Sequence, residues 1–201
     1  MPPLLLSSAS GDAPRNLRLP FPLPTGMPKT RMPPKRRSSP DDYQTPPEAL
    51  APLLPYLPKG WTIWEPAAGK GYLASALRGA GHRVITSDIL TGQDFLRWQP
   101  AEPWDAIVTN PPYSLRYEFI RRCYALGRPW AMLMPLTTLE GRRQELFRRH
   151  GVELLLLDRR VNFETPGGGG GGAWFPVAWF CWRLLPDRIC YGRLERRRGS
   201  P

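Results

Sequence analysis

Residues 61–81 read WTIWEPAAGKGYLASALRGAG, and their reading decides the fold. WTIW is a short apolar run suited to a strand, and it stops at Glu65-Pro66-Ala67-Ala68-Gly69-Lys70-Gly71, a loop rich in small residues. YLASALRGAG then carries apolar residues at helical spacing and closes on glycine, where helices end. A strand, a glycine turn and a helix form the opening unit of a parallel α/β sheet. Downstream the alternation continues. RVITSD, WDAIVTN, PWAMLMP and VELLLLD read as strands, and SLRYEFIRRCYALG and TLEGRRQELFRRHG as helices between them. PVAWFCWRLL reads as a final strand after a glycine-rich loop. The pattern predicts a mainly parallel sheet with helices on both faces, and the continuously apolar runs AIV and ELLLL fit strands covered on both sides. The tryptophans that begin or fill strands read as core. No internal repeat is visible.

The chain of 201 residues suits one domain with tails. Residues 1–40 are dense in proline, serine and basic residues and are predicted to be disordered, because such a segment cannot bury enough surface to offset its ordering entropy. They read either as a basic arm that tracks phosphates or as an over-long reading frame, with Met27 and Met32 as alternative starts. The folded domain is predicted over 41–190, with a second basic tail over 191–201. A net charge of +11 points to a polyanionic partner, nucleic acid before an anionic membrane. Three cysteines (Cys123, Cys181, Cys190) and two histidines (His82, His150) are too few and too scattered for a zinc site, and fit a reducing cytoplasm. No stretch approaches the ~18 apolar residues of a membrane span.

The loop from Glu65 to Gly71 falls where open parallel sheets bind ligands, outside the carboxyl end of a strand. Glycine there admits close approach of a ligand to the backbone. The Gly69-Lys70-Gly71 triplet is not a phosphate loop: the earlier glycine and the Ser/Thr after the lysine are both missing. Asp88 ends the second strand 17 residues past Gly71, where nucleotide-binding folds place an acid on ribose hydroxyls. Asp94 and Phe95 follow in GQDFL, a carboxylate able to accept from an exocyclic amine and a ring able to pack on a base. Each has an ordinary counterpart: a strand-end acid, a loop acid, a core phenylalanine. Together they describe a pocket for an adenosine-containing cofactor.

Asn110-Pro111-Pro112-Tyr113 ends the strand WDAIVTN on the same rim. These residue types also make plain turns. Their chemistry is more specific. An aromatic amine is a poor nucleophile because its lone pair is delocalised into the ring. The side-chain oxygen of Asn110 and the carbonyl of Pro111 can each accept one N–H of such an amine, which localises the lone pair toward an incoming methyl group. The prolines set backbone direction and remove competing donors. Tyr113 offers a face for stacking the base. The whole is positioning plus electrostatic preorganisation.

WEPAAGKGYLA, SDI, GQDFL and VTNPPYS resemble, in order, the motifs of class I S-adenosylmethionine-dependent amino-methyltransferases, and most resemble the small phage-type DNA N6-adenine methyltransferases. DYQTPPEAL is similar to that family's leading cofactor motif, and RVNFETP with WFPVAWFCW to its terminal stretch, so the resemblance covers about residues 41–185. It implies a Rossmann-like seven-stranded sheet with VAWFCWRLL as an antiparallel last strand. It implies that Tyr43, Thr45 and Pro46 cover S-adenosylmethionine, that Glu65, Ala67, Gly69 and Gly71 surround its methionine moiety, and that Asp88 takes the ribose. Asp94 and Phe95 would hold the adenine, and Asn110 to Tyr113 the target amine. The implied activity is methylation of the N6 amine of adenine in DNA, by a monomer in the cytoplasm of a bacterial or phage-infected cell. Cytosine N4, RNA adenine, protein glutamine and an inactive nucleic-acid-binding relative are the alternatives.

The sequence departs from the longer relatives of this motif order in lacking a target-recognition domain after the last strand, so sequence specificity is expected to be short or absent. The six-glycine run at 167–172 reads either as a flexible lid carrying Trp174 and Phe175 to DNA or as a slack loop. Arg142, Arg143, Arg148 and Arg149 on one helix-like segment, with Arg159 and Arg160 after the strand VELLLLD, are candidate phosphate contacts, or else a solvated face.

Overall fold

The computed structural model describes residues 44–163 and 175–194. The predicted tail at 1–40, Tyr43, the six-glycine run and Trp174 lie outside the described residues.

The strand β1 (Thr62–Glu65) is buried along its whole length. Its alternation sends Ile63 to one apolar layer and Trp64 to the other. After it come α2 (Tyr72–Gly79), preceded in the chain by the short α1 (Pro47–Leu50), then β2 (Arg83–Thr86) and β3 (Ala106–Thr109). The chain continues through α3 (Arg116–Leu126), β4 (Trp130–Pro135), α4 (Arg143–His150) and β5 (Glu153–Leu157) to β6 (Val177–Trp182) and β7 (Ile189–Gly192). These form one seven-stranded sheet in the order β2-β1-β3-β4-β6-β5-β7. β1 pairs in parallel with β2 and β3, and β3 with β4. β6 lies antiparallel between β4 and β5, in register Met132↔Phe180 and Leu155↔Trp179.

Both faces are covered. On one, Leu50, Leu73 and Leu77 from α1 and α2 pack over Ile63, Val108, Leu133 and Trp179. On the other, Phe119, Ile120 and Cys123 of α3 and Phe147 of α4 pack over Trp64, Ile107, Met132 and Phe180. The reading of tryptophan as core holds for Trp64, Trp130 and Trp179, all fully buried. Burial pushes the thiols of Cys123 and Cys181 well above their ordinary range, as suits inert core residues.

The mainly parallel sheet, the antiparallel β6 and the two helical layers agree with the expectation. Two details differ. A further strand, β7, follows β6 and pairs in parallel with β5, so the chain does not end its sheet on VAWFCWRLL, and the strand runs two residues into the stretch read as tail. ICYG is a four-residue edge strand that buries Cys190 and exposes Ile189 and Tyr191, too little alternation to identify from pattern. The helix expected over TLEGRRQELFRRHG begins only at Arg143, because Gly141 takes φ +70 and separates it from a 3-10 turn at Leu136–Leu139. Between β2 and β3 the connection makes one 3-10 turn, Ile89–Thr91.

Candidate functional site

The strand order reverses beside β1: the chain runs out to β2 and returns to β3 on the other flank. At such a switch point the loops leaving neighbouring strands diverge and open a crevice at their carboxyl ends. Here those loops carry Glu65 to Gly71, Asp88 and Asn110 to Tyr113, and a cavity of about 480 Å³ lies among them. That volume is in the range of small-molecule sites, roughly 300–1,000 Å³.

Hydrogen bonds between loops set the cavity's shape. Ser87 donates its N–H to the Glu65 carbonyl at 3.0 Å, and Ala68 donates to the Ser87 carbonyl at 3.2 Å. Asp88 accepts from the N–H of Gly69 through Oδ2 and of Leu90 through Oδ1, both at 2.9 Å. A carboxylate has about four lone-pair sites, so capacity remains for a ligand. On the other side of the glycine loop, Gln44 Oε1 accepts from the Lys70 N–H at 3.1 Å. Gly69 has φ +50, and a Cβ there would stand 3.1 Å from the Gln44 amide. Only glycine fits this turn without strain.

Of the residues singled out from sequence, Thr45, Glu65, Ala67, Gly69, Asp88, Asp94, Phe95, Asn110 and Pro112 line the cavity. Asp94 is a turn acid whose Oδ1 accepts from the Leu96 N–H at 2.9 Å. Phe95 is both core and cavity wall, meeting Trp64 and Phe119 with ring centroids 5.2 and 4.5 Å away. Pro46, Gly71, Pro111 and Tyr113 are not brought to the cavity wall. Pro46 precedes α1 in extended conformation, and Gly71 starts α2 at φ +78. Tyr113 is 7% exposed and its ring meets that of Phe175 at 74°, so little of the residue is open to a ligand in this structure. Arg116 donates to the Tyr113 carbonyl, which holds the turn against α3.

The sequence reading missed several wall residues. Gln44 lay inside a quoted motif without a role. Ile89 and Leu90 are 66% and 89% exposed, and apolar residues standing in solvent directly after a strand-end acid were the signal available. Tyr72, Leu115 and Phe119 are helical or turn residues whose part in the wall depends on packing alone.

Glu65 is the electrostatic anomaly of the site. It is 2% exposed, and its Oε2 is buried with no hydrogen-bond partner among the described residues. Burial pushes its pKa up to about 8; Asp88 adds to the rise, and the Ala74 N–H and Arg78 oppose it. The basic segment is less available than its sequence suggested. Arg142 pairs with Glu118 at 3.0 Å and lies over the Tyr117 ring, and Arg143 donates to the carbonyls of Thr137 and Thr138. Arg159 joins Asp158 and the Leu194 carbonyl. Arg148, Arg149 and Arg160 are exposed.

The wall fits S-adenosylmethionine in chemistry: a free-sided carboxylate for hydroxyls, apolar surface for a base, a glycine turn for close approach, and a buried carboxyl whose Oε2 has no partner among the described residues for a cationic end. No protein-family model matches the chain, and no curated protein matches it in sequence. Solved structures resemble it in fold. The methyltransferase subunit of a type I restriction-modification system from Streptococcus thermophilus is 15% identical with a TM-score of 0.52; the match covers 76% of this chain and 47% of that one. The chain thus spans about half the length of that subunit. A TehB-like SAM-dependent methyltransferase from Corynebacterium glutamicum is 19% identical over 68% of this chain and 88% of its own, at a TM-score of 0.42. TYW2 from Pyrococcus horikoshii, solved with MeSAdo, is 16% identical over 70% of this chain and 64% of its own, at 0.39. The fold is that of the Rossmann-like class I methyltransferases.

Proposed function

We propose that the chain is an S-adenosylmethionine-dependent methyltransferase acting on the N6 exocyclic amine of adenine in DNA, with little or short sequence specificity. The observation that carries this reading is that Asn110 lines the same cavity as Glu65 and Asp88, on the far flank of the switch point. When bound, the cofactor supplies an electrophilic methyl group. Asp88 holds the cofactor's ribose, while Asp94, Phe95, Ile89 and Leu90 hold its adenine. Thr45, Pro66 to Gly69 and Glu65 enclose its amino-acid end. Asn110 accepts an N–H of the target amine, which turns the nitrogen lone pair toward the methyl group. Proton loss follows methylation, since an ammonium on an aromatic ring is strongly acidic, and solvent suffices as the base. The target base leaves its stack to reach the cavity, at about a few kcal/mol for duplex DNA and less for single strands.

A net charge of +11 supports a nucleic-acid substrate, as does the shared fold with a restriction-modification methyltransferase subunit. The test is transfer of labelled methyl to duplex DNA, single-stranded DNA, RNA and a glutamine-bearing peptide extract, with products identified by mass spectrometry. N6-methyladenine in DNA across many sequence contexts is the expected product. Label confined to RNA, to cytosine or to protein would keep the Asn110 chemistry and replace the substrate.

A further inference from the structure

Glu65 has no part in localising the amine lone pair, yet it is the most unusual ionisable group at the site. It sits at the carboxyl end of β1 and is one of the residues that line the cavity. Oε2 has no partner among the described residues. A carboxylate held out of water without a partner is disfavoured, while the same carboxylate beside a cation is stabilised by charge-assisted contact. The charged groups that face it are Arg78 from α2 and Asp88 from the end of β2, which act in opposite senses. Lys70 and Tyr72 stand on the loop and helix that follow, and Gln44, Thr45 and Asn110, across the cavity, do not ionise. The Ala74 N–H serves the Glu65 carboxyl and leaves Oε2 unpartnered among the described residues, so a cation entering this cavity meets two acids, one of them with an open oxygen.

We infer that Glu65 is neutral in the free protein and releases its proton to solvent when the cationic end of S-adenosylmethionine enters the cavity, so that cofactor binding is coupled to deprotonation of this one residue. This rests on the cofactor assignment proposed above. The bond broken is the O–H of the Glu65 carboxyl; the proton leaves to buffer, and the carboxylate becomes the counter-ion of the bound cation. Burial supports the neutral starting state, since it holds the pKa near 8. A protein of this design takes up its cofactor more tightly as pH rises toward 8, and favours a cationic ligand over an anionic one of the same shape.

Titration calorimetry of the full chain with S-adenosylmethionine at pH 7, in buffers of different ionisation enthalpy, tests the inference without reference to activity. With a free-state pKa about one unit above the experiment, about 0.9 proton is released per cofactor bound. Glu65→Gln, which keeps shape and removes the titration, should release about that much less. Affinity of the unsubstituted protein should rise about ninefold from pH 6 to 7 and about fivefold from pH 7 to 8, against a flatter profile for the variant. Should Glu65→Gln fail to fold, infrared difference spectra of the unsubstituted protein give the same answer through loss of a protonated-carboxyl band on binding. Proton release unchanged by the substitution, or binding with no release and no band loss, overturns the inference. An unsubstituted protein that does not bind S-adenosylmethionine overturns instead the cofactor assignment beneath it.

Discussion

In the proposed reaction the Asn110 side-chain oxygen polarises the target amine, and Asn110 lines the cavity from the last position before two prolines. Asn110→Ala should leave cofactor affinity intact and cut methyl transfer by about 10²–10³-fold, the effect of removing one preorganised polar partner of the transition state. Single-turnover rates beside equilibrium binding check this split. Asp88→Ala acts on the other side of the cavity. It removes the acceptor for the Gly69 and Leu90 N–H groups along with the proposed ribose contact, so cofactor affinity should fall first, as calorimetry would show. Glu65 links the site to stability. Its folded pKa of about 8 lies above the ordinary 4.5, so its contribution is full below pH 4.5 and is lost as pH rises through 8. Glu65→Gln should therefore gain on the unsubstituted protein between pH 5 and 8, by up to about 1.4 kcal/mol per pH unit. Urea denaturation at the two ends of that window measures the difference, and a constant gap would contradict it.

The elements that position these residues are short, and their junctions hold the fold's tightest contacts. Gly69→Ala forces an alanine into φ +50 against the Gln44 amide. It should cost about 1–2 kcal/mol of stability and weaken cofactor binding, because the strained turn is itself the cavity wall. β7 is the element least visible in sequence, and its docking is testable. A Cβ at Gly192 would lie 2.6 Å from Cβ of Pro52, so Gly192→Ala should destabilise by about 1–3 kcal/mol through overpacking. A neutral result would mean that β7 is not packed against the segment after α1. The turn from β6 into β7 depends on Glu153, which accepts the N–H groups of Arg183, Leu184 and Leu185 at 2.9–3.0 Å. One side chain of β5 thereby orders the connection between its two neighbours.

Across the whole molecule the excess of positive charge predicts how a polyanion binds. The logarithm of DNA affinity should fall linearly with the logarithm of salt concentration, with a slope of about −0.9 per phosphate neutralised. Arg148→Ala with Arg149→Ala should make that slope shallower, since both side chains are exposed; Arg142 and Arg143, tied to Glu118 and to backbone carbonyls, should matter more to stability. The sequence by itself determined the class of sheet and the three loops on its rim. The interior of a doubly covered strand must be apolar, as Ile63-Trp64 and Ala106-Ile107-Val108 are, and the ends of such strands must carry the polar residues that Glu65, Asp88 and Asn110 supply. Only the tertiary structure decided which flank of β1 each loop occupies, that β6 is inserted between β4 and β5, and that β7 closes the edge. It also decided that the Tyr113 ring is packed against Phe175, that Gln44 clasps the glycine loop, and that Glu65 Oε2 is buried without a partner among the described residues. Burial, pKa and pairing depend on what the rest of the chain brings alongside, and local pattern records only what each segment can offer.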